Sequence, residues 1–324
     1  MITINGKYKI PSEWFELRPY QYLKICEAVT DFLRGKRDFE AFKLQVLMIL
    51  LDIESKKIKN LSETFCENLW RIGEQINFYY MFVYEDDRYK KLSPATQEKL
   101  LKTIPKADDS EPEMRIASQF KYRIKIDLHF GEQLLPFLDS MRLIGYKFHY
   151  ANGLVDTSLT AAQYTDANSL VSLFYKSKDE RALILDKLVR VLYCPEPYSQ
   201  AAAEKVGLQN ISQYEKVAVL YNYNAIIDWI SDIEKYKYVF HGAKTSEKNL
   251  IGPNSPIYQL AGKGYGSVGE IEKMSLFNYL DLLLKETIDS VNQLGCTEMK
   301  HGEIAESTGL MEEQVDEILN NTKR

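Results

Sequence analysis

Gly264-Tyr265-Gly266-Ser267-Val268-Gly269 spells the glycine pattern of a dinucleotide-binding turn. In that role the glycines follow a strand and open a helix. They belong to a strand–helix–strand unit whose second strand ends in an acidic residue. Here a helix follows, no second strand is readable downstream, and the chain soon ends. The pattern therefore reads as a turn before a helix. Gly262-Lys263 lacks the earlier glycine and the following Ser or Thr of a phosphate loop. The histidines, His129, His149, His241 and His301, share no His-x-x-x-His spacing and stand beside no CxxC pair, so no zinc pattern is present. Cys26, Cys66, Cys194 and Cys296 lie far apart, three of them in apolar periodic segments, and read as buried free thiols. No Gly-x-Ser-x-Gly elbow occurs. Glu85-Asp86-Asp87, Asp108-Asp109 and Glu312-Glu313 fall in loops or helix ends, where solvation accounts for them. Paired acid–base catalysis needs two carboxylates in unlike environments. The expectation is a non-enzyme with no catalytic, cofactor-binding or metal-binding residues. Its partner-binding residues are not located by sequence.

The sharpest local pattern is C-terminal. Ile304-Ala305, Gly309-Leu310, Val315 and Ile318 fall on the apolar and glycine positions of a helix-turn-helix. A DNA reader carries basic or amide side chains on the second helix. Here that helix begins Met311-Glu312-Glu313-Gln314-Val315-Asp316-Glu317, whose acids repel phosphate. A small bihelical packing or docking element is the expected use, with a DNA-binding regulator as the alternative.

These groups need a scaffold, and 324 residues at 45% hydrophobic and 27% charged are enough for one large domain or two modest ones. A net charge of −5 gives no long-range attraction to phosphate backbones or anionic lipid. The 22 tyrosines suit broad, half-buried surfaces, because each has an apolar body and a polar tip. The N-terminal Met1-Ile2-Thr3-Ile4 lacks a signal-peptide profile, and Val46 to Leu51 is too short to span a membrane. A cytoplasmic protein without membrane partners is expected.

The elements are mostly helical. Asn5-Gly6 predicts a hairpin turn between Ile2–Ile4 and Lys7–Ile10. Tyr22, Ile25, Cys26, Val29 and Phe32 predict an amphipathic helix ending near Gly35, followed by an apolar helix from Phe42 to Ile53. Asn60 and Glu63 resemble a capping box before a helix expected from Phe65 to about Val83. Lys106 to Glu113 reads as a mobile connector. Alternation over 121–130 predicts a strand with Tyr122, Ile124, Ile126, Leu128 and Phe130 on one face. Asn152-Gly153 predicts a second hairpin. Helices then follow at about 160–176, 179–193 and 199–206, over 212–238, and from Leu276 to Val291. A polar loop is expected over 241–256. The predicted class is mainly α with small β-hairpins (α+β). The organisation is an N-terminal hairpin plus helical unit at 1–105, a second such unit at 115–295, and a bihelical element at 297–324.

The two units echo one another. Gln21-Tyr22 recurs as Gln163-Tyr164, and at the same offset Val29 matches Val171, Phe32 matches Phe174, Leu50 matches Leu192 and Glu54 matches Glu196. The shared order is hairpin, Gln-Tyr helix, then a very apolar helix. A two-unit pseudo-repeat is the expectation; two copies are fewer than a solenoid requires.

Ile4-Asn5-Gly6 through Pro11-Ser12-Glu13-Trp14-Phe15-Glu16-Leu17 to Gln21-Tyr22 resembles a pattern in phage and prophage proteins of Bacteroidetes. There an Asn-Gly hairpin leads into Pro-x-x-Trp-x-Glu-Leu/Val and then a Gln-Tyr/Phe helix. This chain departs by at most one residue between Trp14 and Glu16. Leu159-Thr160 to Gln163-Tyr164, Leu188 to Pro195, and Lys273-Met274-Ser275-Leu276 are similar to later stretches of the same proteins. The resemblance covers about half the chain in short pieces. It implies a tail-module protein: a non-enzymatic tail-assembly chaperone for a helical tail protein of tape-measure or tail-tube type. A structural virion component is its alternative.

Overall fold

The computed structural model describes residues 1–4, 8–53, 63–151, 154–240, 254–297 and 299–322. Among them stand fifteen α-helices and four two-stranded antiparallel sheets, the mainly α class with small hairpins that the sequence predicts. The chain divides into two compact units, Met1–His129 and Phe130–Arg324. Asn5-Gly6, Asn60, the side chain of Glu63, Asn152-Gly153 and 241–253 of the expected loop lie outside the described residues.

In the first unit β1 (Ile2–Ile4) pairs with β2 (Tyr8–Ile10), Ile2 opposite Ile10. Helix α1 (Pro19–Leu33) starts on Pro19, which needs no amide partner in a first turn. It ends where Gly35 takes φ +71°, a conformation that costs a Cβ-bearing residue more. Helix α2 (Phe39–Leu50) is capped by Asp38, whose carboxylate accepts the Ala41 amide at 2.8 Å. Tyr22, Ile25, Cys26 and Val29 of α1 are buried, as are Phe42, Val46, Leu47 and Leu50 of α2. Each such side chain contributes roughly 1.5–3 kcal/mol by leaving water. Phe32 stacks on Phe42 at 4.8 Å between ring centroids, near the helix turn.

Buried Gln21 joins these two helices. Its Oε1 accepts the Arg18 amide at 3.1 Å at the start of α1. Its Nε2 donates to the carbonyls of Ile49 and Leu50 at the end of α2, both at 3.4 Å. One side chain thus satisfies an orphan amide of one helix and orphan carbonyls of the next.

The expected helix from Phe65 to Val83 is shorter: α3 spans Glu63–Gln75 and is followed by β3 (Tyr80–Tyr84). Tyr80, Phe82 and Tyr84 are buried while Met81 and Val83 are half-exposed, a period of two that suits aromatic residues on a pleated sheet. Helices α4 (Pro94–Lys102) and α5 (Pro112–Ala117) come next, then β4 (Tyr122–Ile126), paired antiparallel with β3. The strand expected to reach residue 130 stops at Ile126. Beyond it, the Asp127 amide donates to the Tyr79 carbonyl at 3.0 Å, and its carbonyl accepts Trp14 Nε1 at 3.0 Å. On β4 Tyr122 is exposed and Ile124 and Ile126 are half-buried, so the buried face belongs to β3.

Lys106–Glu113 is not a loose connector. Glu113 accepts from the Ser93 hydroxyl at 2.6 Å and from Thr96, and Lys99 bonds Glu111 at 2.7 Å. The units part instead at His129, and 115–129 stays with the first because β4 pairs with β3.

The second unit opens with β5 (Phe137–Leu138) and β6 (Leu143–Ile144), a hairpin that the sequence reading does not contain. Strands β7 (Phe148–Ala151) and β8 (Leu154–Thr157) form the expected one. Helix α6 (Ala161–Lys176) carries a full capping box: the Gln163 amide donates to Thr160 Oγ1 at 3.2 Å, and Gln163 Oε1 accepts the Thr160 amide at 3.4 Å. Helix α7 (Arg181–Leu192) follows, and Gln163 Nε2 donates to the Val191 carbonyl at 3.2 Å. The bond pattern of Gln21 thus recurs at the echoed position.

Helices α8 (Gln200–Glu204) and α9 (Gln213–Ser231) come next, with Leu185, Leu188, Val189, Val219, Leu220 and Ile226 buried on α7 and α9. Lys216 of α9 is buried and meets Asp186 of α7 at 2.7 Å. The single helix expected over 212–238 breaks after Ser231, whose hydroxyl turns back to the Asp228 carbonyl at 2.7 Å, and α10 is Lys237–Phe240. Then come α11 (Ser255–Gly262), α12 (Val268–Lys273), α13 (Leu276–Gly295), α14 (His301–Thr308) and α15 (Glu312–Thr322). Gly309 makes the turn between the last two at φ +73°. Ile304, Ala305, Leu310, Val315 and Ile318 are buried with Val291 and Leu319. Leu319 packs so near α13 that a Cβ on Gly295 would lie 2.5 Å from its Cδ2.

Candidate binding cleft

Among the described residues, those singled out for chemistry do not gather. Gly264 and Gly266 adopt φ +86° and +140° between α11 and α12, with a helix before the glycines where a nucleotide turn has a strand. Ser267 caps α12, accepting the Glu270 amide at 3.3 Å. The segment is a helix–helix turn. His149 Nδ1 pairs with Glu132 at 3.1 Å, His301 pairs with Asp316, His129 is exposed, and His241 lies outside the described residues. Among the described residues no group of three or more His, Cys, Asp or Glu is placed to hold a metal. Cys26 and Cys194 are buried free thiols, and burial pushes the Cys26 thiol up to about 12. Cys296, expected to be buried, is exposed at the end of α13. Of the acidic clusters, Asp86 is bonded by Arg88, at 2.7 Å to Nη2, which holds its carboxyl down to about 2. Glu312 and Glu313 face solvent.

A concave surface of the second unit lies around the segment that leaves α7. Two adjoining cavities share Ser158, Gln163 and Glu196 as walls. One, of about 530 Å³, is lined by Leu143, Ile144, Tyr146, Tyr193, Pro195 and Val206, with Arg142 and Lys205 at its edge. The other, of about 940 Å³, is lined by Asp166, Tyr198, Ile257, Tyr258, Glu272 and Lys273.

Local bonding fixes these walls. The Ala161 amide donates to the Met274 carbonyl at 2.9 Å and the Leu276 amide to the Leu159 carbonyl at 2.8 Å, which pins the start of α6 to the α12–α13 junction. The Tyr146 amide donates to the Leu192 carbonyl at 3.1 Å, which holds β6 and its exit beside the end of α7. Gly145 is needed there, since a Cβ would fall 2.9 Å from the Tyr193 ring. Tyr193 donates its hydroxyl to the Leu135 carbonyl at 2.6 Å. Arg190 holds the far side by donating to the Glu204 carbonyl at 2.7 Å and to that of Val206. The Glu196–Pro197 peptide is cis.

Burial, then the bond to Asp166, raises the Tyr198 phenol, and burial raises those of Tyr146 and Tyr193. All three stay neutral donors. Asp166 accepts from Tyr198 and from Gln200 Nε2 at 3.3 Å. The Cys194 thiol points at the carbonyls of Pro195 and Ser199, at 3.5 and 3.9 Å. The described residues give neither Glu196 nor Glu272 an ion-pair or hydrogen-bond partner. The cleft can hold an apolar group in its first cavity and a polar or cationic one in its second.

Sequence reasoning did not find this cleft. Its one signal was the proline-bounded run Cys194-Pro195-Glu196-Pro197 after a leucine-rich helix. Beside it, β5–β6 exposes Phe137, Met141 and Ile144 at 46%, 73% and 64%. Asp139, Ser140 and Met141 all take left-handed φ angles of 48°, 51° and 73° in that turn. Asn210 Nδ2 holds it by donating to the Asp139 carboxylate at 3.1 Å. Comparison with known protein families, curated proteins and solved structures finds no match. No described helix is long and apolar enough to cross a membrane.

Proposed function

We propose that this chain is a non-enzymatic protein-binding factor in phage or prophage tail assembly, chaperoning a helical tail protein of tape-measure or tail-tube type in the host cytoplasm. The observation that carries the binding part is the row of exposed apolar side chains on β5–β6 beside a cleft. Phe137, Met141 and Ile144 gain by leaving water only when a partner covers them. The tail-assembly part rests on the resemblance of the Asn-Gly hairpin, the Pro-x-x-Trp-x-Glu-Leu segment and the two Gln-Tyr helices. Transient cover is the mechanism: apolar and tyrosine-rich faces shield a partner's helices until it polymerises.

Affinity capture with the full chain from a phage-producing cell tests this reading. Recovery of a long helical tail protein supports it, and recovery of metabolic enzymes alone refutes it. Mass spectrometry of purified particles separates chaperone from virion component, the chaperone being absent from the finished particle. The regulator alternative has the weaker support. On α15 Glu312 and Glu313 are exposed, and Glu317 and Asp316 are engaged by Lys237 and His301. A duplex-DNA titration at low salt is expected to show no binding, and tight binding would favour the regulator.

A further inference from the structure

We infer that the cleft around the Cys194–Gln200 segment receives a stretch of a partner protein in which a bulky apolar residue is followed by Lys or Arg. This inference rests on the protein-binding reading and names its site and partner chemistry. The apolar cavity, about 530 Å³, takes a large aliphatic or aromatic side chain against Tyr146, Tyr193 and Val206. The adjoining cavity collects Asp166, Glu196 and Glu272 against the single amino group of Lys273. Asp166 is already engaged by Tyr198 and Gln200, so among the described residues the carboxylates of this cavity without a hydrogen-bond or ion-pair partner are Glu196 and Glu272. A cation there meets two carboxylates, the exposed Glu196 and the half-buried Glu272, which attract it. Arg142 and Lys205 line the first cavity and disfavour a cation there. That asymmetry gives the groove a direction, apolar residue first into one cavity and base into the other.

The test uses the full chain and three fluorescein-labelled peptides: Gly-Ser-Leu-Phe-Lys-Lys-Ser-Gly, the same peptide with Glu for both Lys, and the same with Ser for Leu and Phe. Fluorescence anisotropy is expected to show saturable binding of the first only. Glu196→Lys with Glu272→Lys is expected to weaken it by roughly tenfold or more, as two reversed contacts imply. The milder Glu272→Gln is expected to weaken it less, with an unchanged unfolding midpoint confirming the fold. No binding of the first peptide, equal binding of the acidic one, or equal affinity in both variants overturns the inference. Tail-protein capture repeated with the charge-reversed chain separates the two readings. Capture that survives reversal leaves the chaperone standing and removes the cleft as its site. Peptide binding without tail-protein capture does the reverse.

Discussion

The α1–α2 hairpin of the first unit and the α6–α7 hairpin of the second are closed by the same device and surrounded by different chemistry. In each, a buried glutamine at the third helical position accepts its own cap amide and donates to the carbonyls that end the next helix. The Gln21 hairpin is packed with aromatic rings: Trp14 meets Tyr22 edge-on at 5.9 Å beside the glutamine, and Phe32 stacks on Phe42 at the far, turn end. Around Gln163 the neighbours include the two cavities, and Gln163 is itself a wall of both. The latch is therefore separable from what its unit presents to solvent. One copy closes on packed core, and the other leaves a groove.

The sharpest way to break this comparison is through the ion pair that belongs to the second hairpin. Lys216→Met leaves Asp186 facing the interior without its partner. Asp186 keeps 34% side-chain exposure, so a loss of about 2–4 kcal/mol is expected. Trp229 lies in the second unit, and Trp14 and Trp70 in the first. Urea unfolding in a Trp14→Phe/Trp70→Phe background therefore reads the second unit alone. Gln163→Leu is expected to cost about 1–3 kcal/mol on that same probe, because buried backbone groups lose their partner. Gln21→Leu is expected to cost a similar amount on Trp14 fluorescence and to leave the Trp229 transition unmoved. An equal shift on both probes would mean that the two latches do not act within separate units.

Smaller effects sharpen the difference at the helix starts. Thr160→Ala removes a hydroxyl cap and is expected to cost about 1 kcal/mol, measured by urea unfolding. Arg18 supplies its backbone amide to Gln21, and its exposed pair with Asp52 at 3.5 Å adds little, so Arg18→Ala is expected to stay within about 0.5 kcal/mol. The smallest effect is the pH response of Asp86 in the first unit. Arg88 holds the Asp86 carboxyl at about 2, below its ordinary 3.8. The folded form binds that proton less readily than the unfolded one. The resulting stabilisation is present above the ordinary value and is lost as pH falls toward about 2. An NMR titration of the Asp86 carboxyl checks the direction, and Arg88→Gln is expected to raise the midpoint part of the way, because the backbone amide of residue 88 still donates to Asp86.

Much of this architecture was legible because local rules and packing agree. Gly35 and Gly309 end helices where the sequence places stops, and the echoed Gln-Tyr pairs mark real helix starts. Phe78 to Phe82 misled because consecutive aromatics fit a buried helix and a buried strand equally well, and pairing with β4 decided between them. The 121–130 alternation overran its strand because Asp127 turns its backbone to Tyr79 and Trp14, contacts that no local pattern encodes. The cleft was not legible at all. Its walls come from β6, the start of α6, the exit of α7 and the α12–α13 junction, brought together by backbone hydrogen bonds between segments far apart in sequence.

The left-handed turn that lifts Met141 out of β5–β6 has a chemical consequence. A thioether held in solvent at the apex of an apolar ridge is open to peroxide, and its sulfoxide is polar and chiral. Oxidised preparations are expected to lose grip on whatever covers that ridge while keeping their fold, and enzymatic reduction of the sulfoxide is expected to restore it.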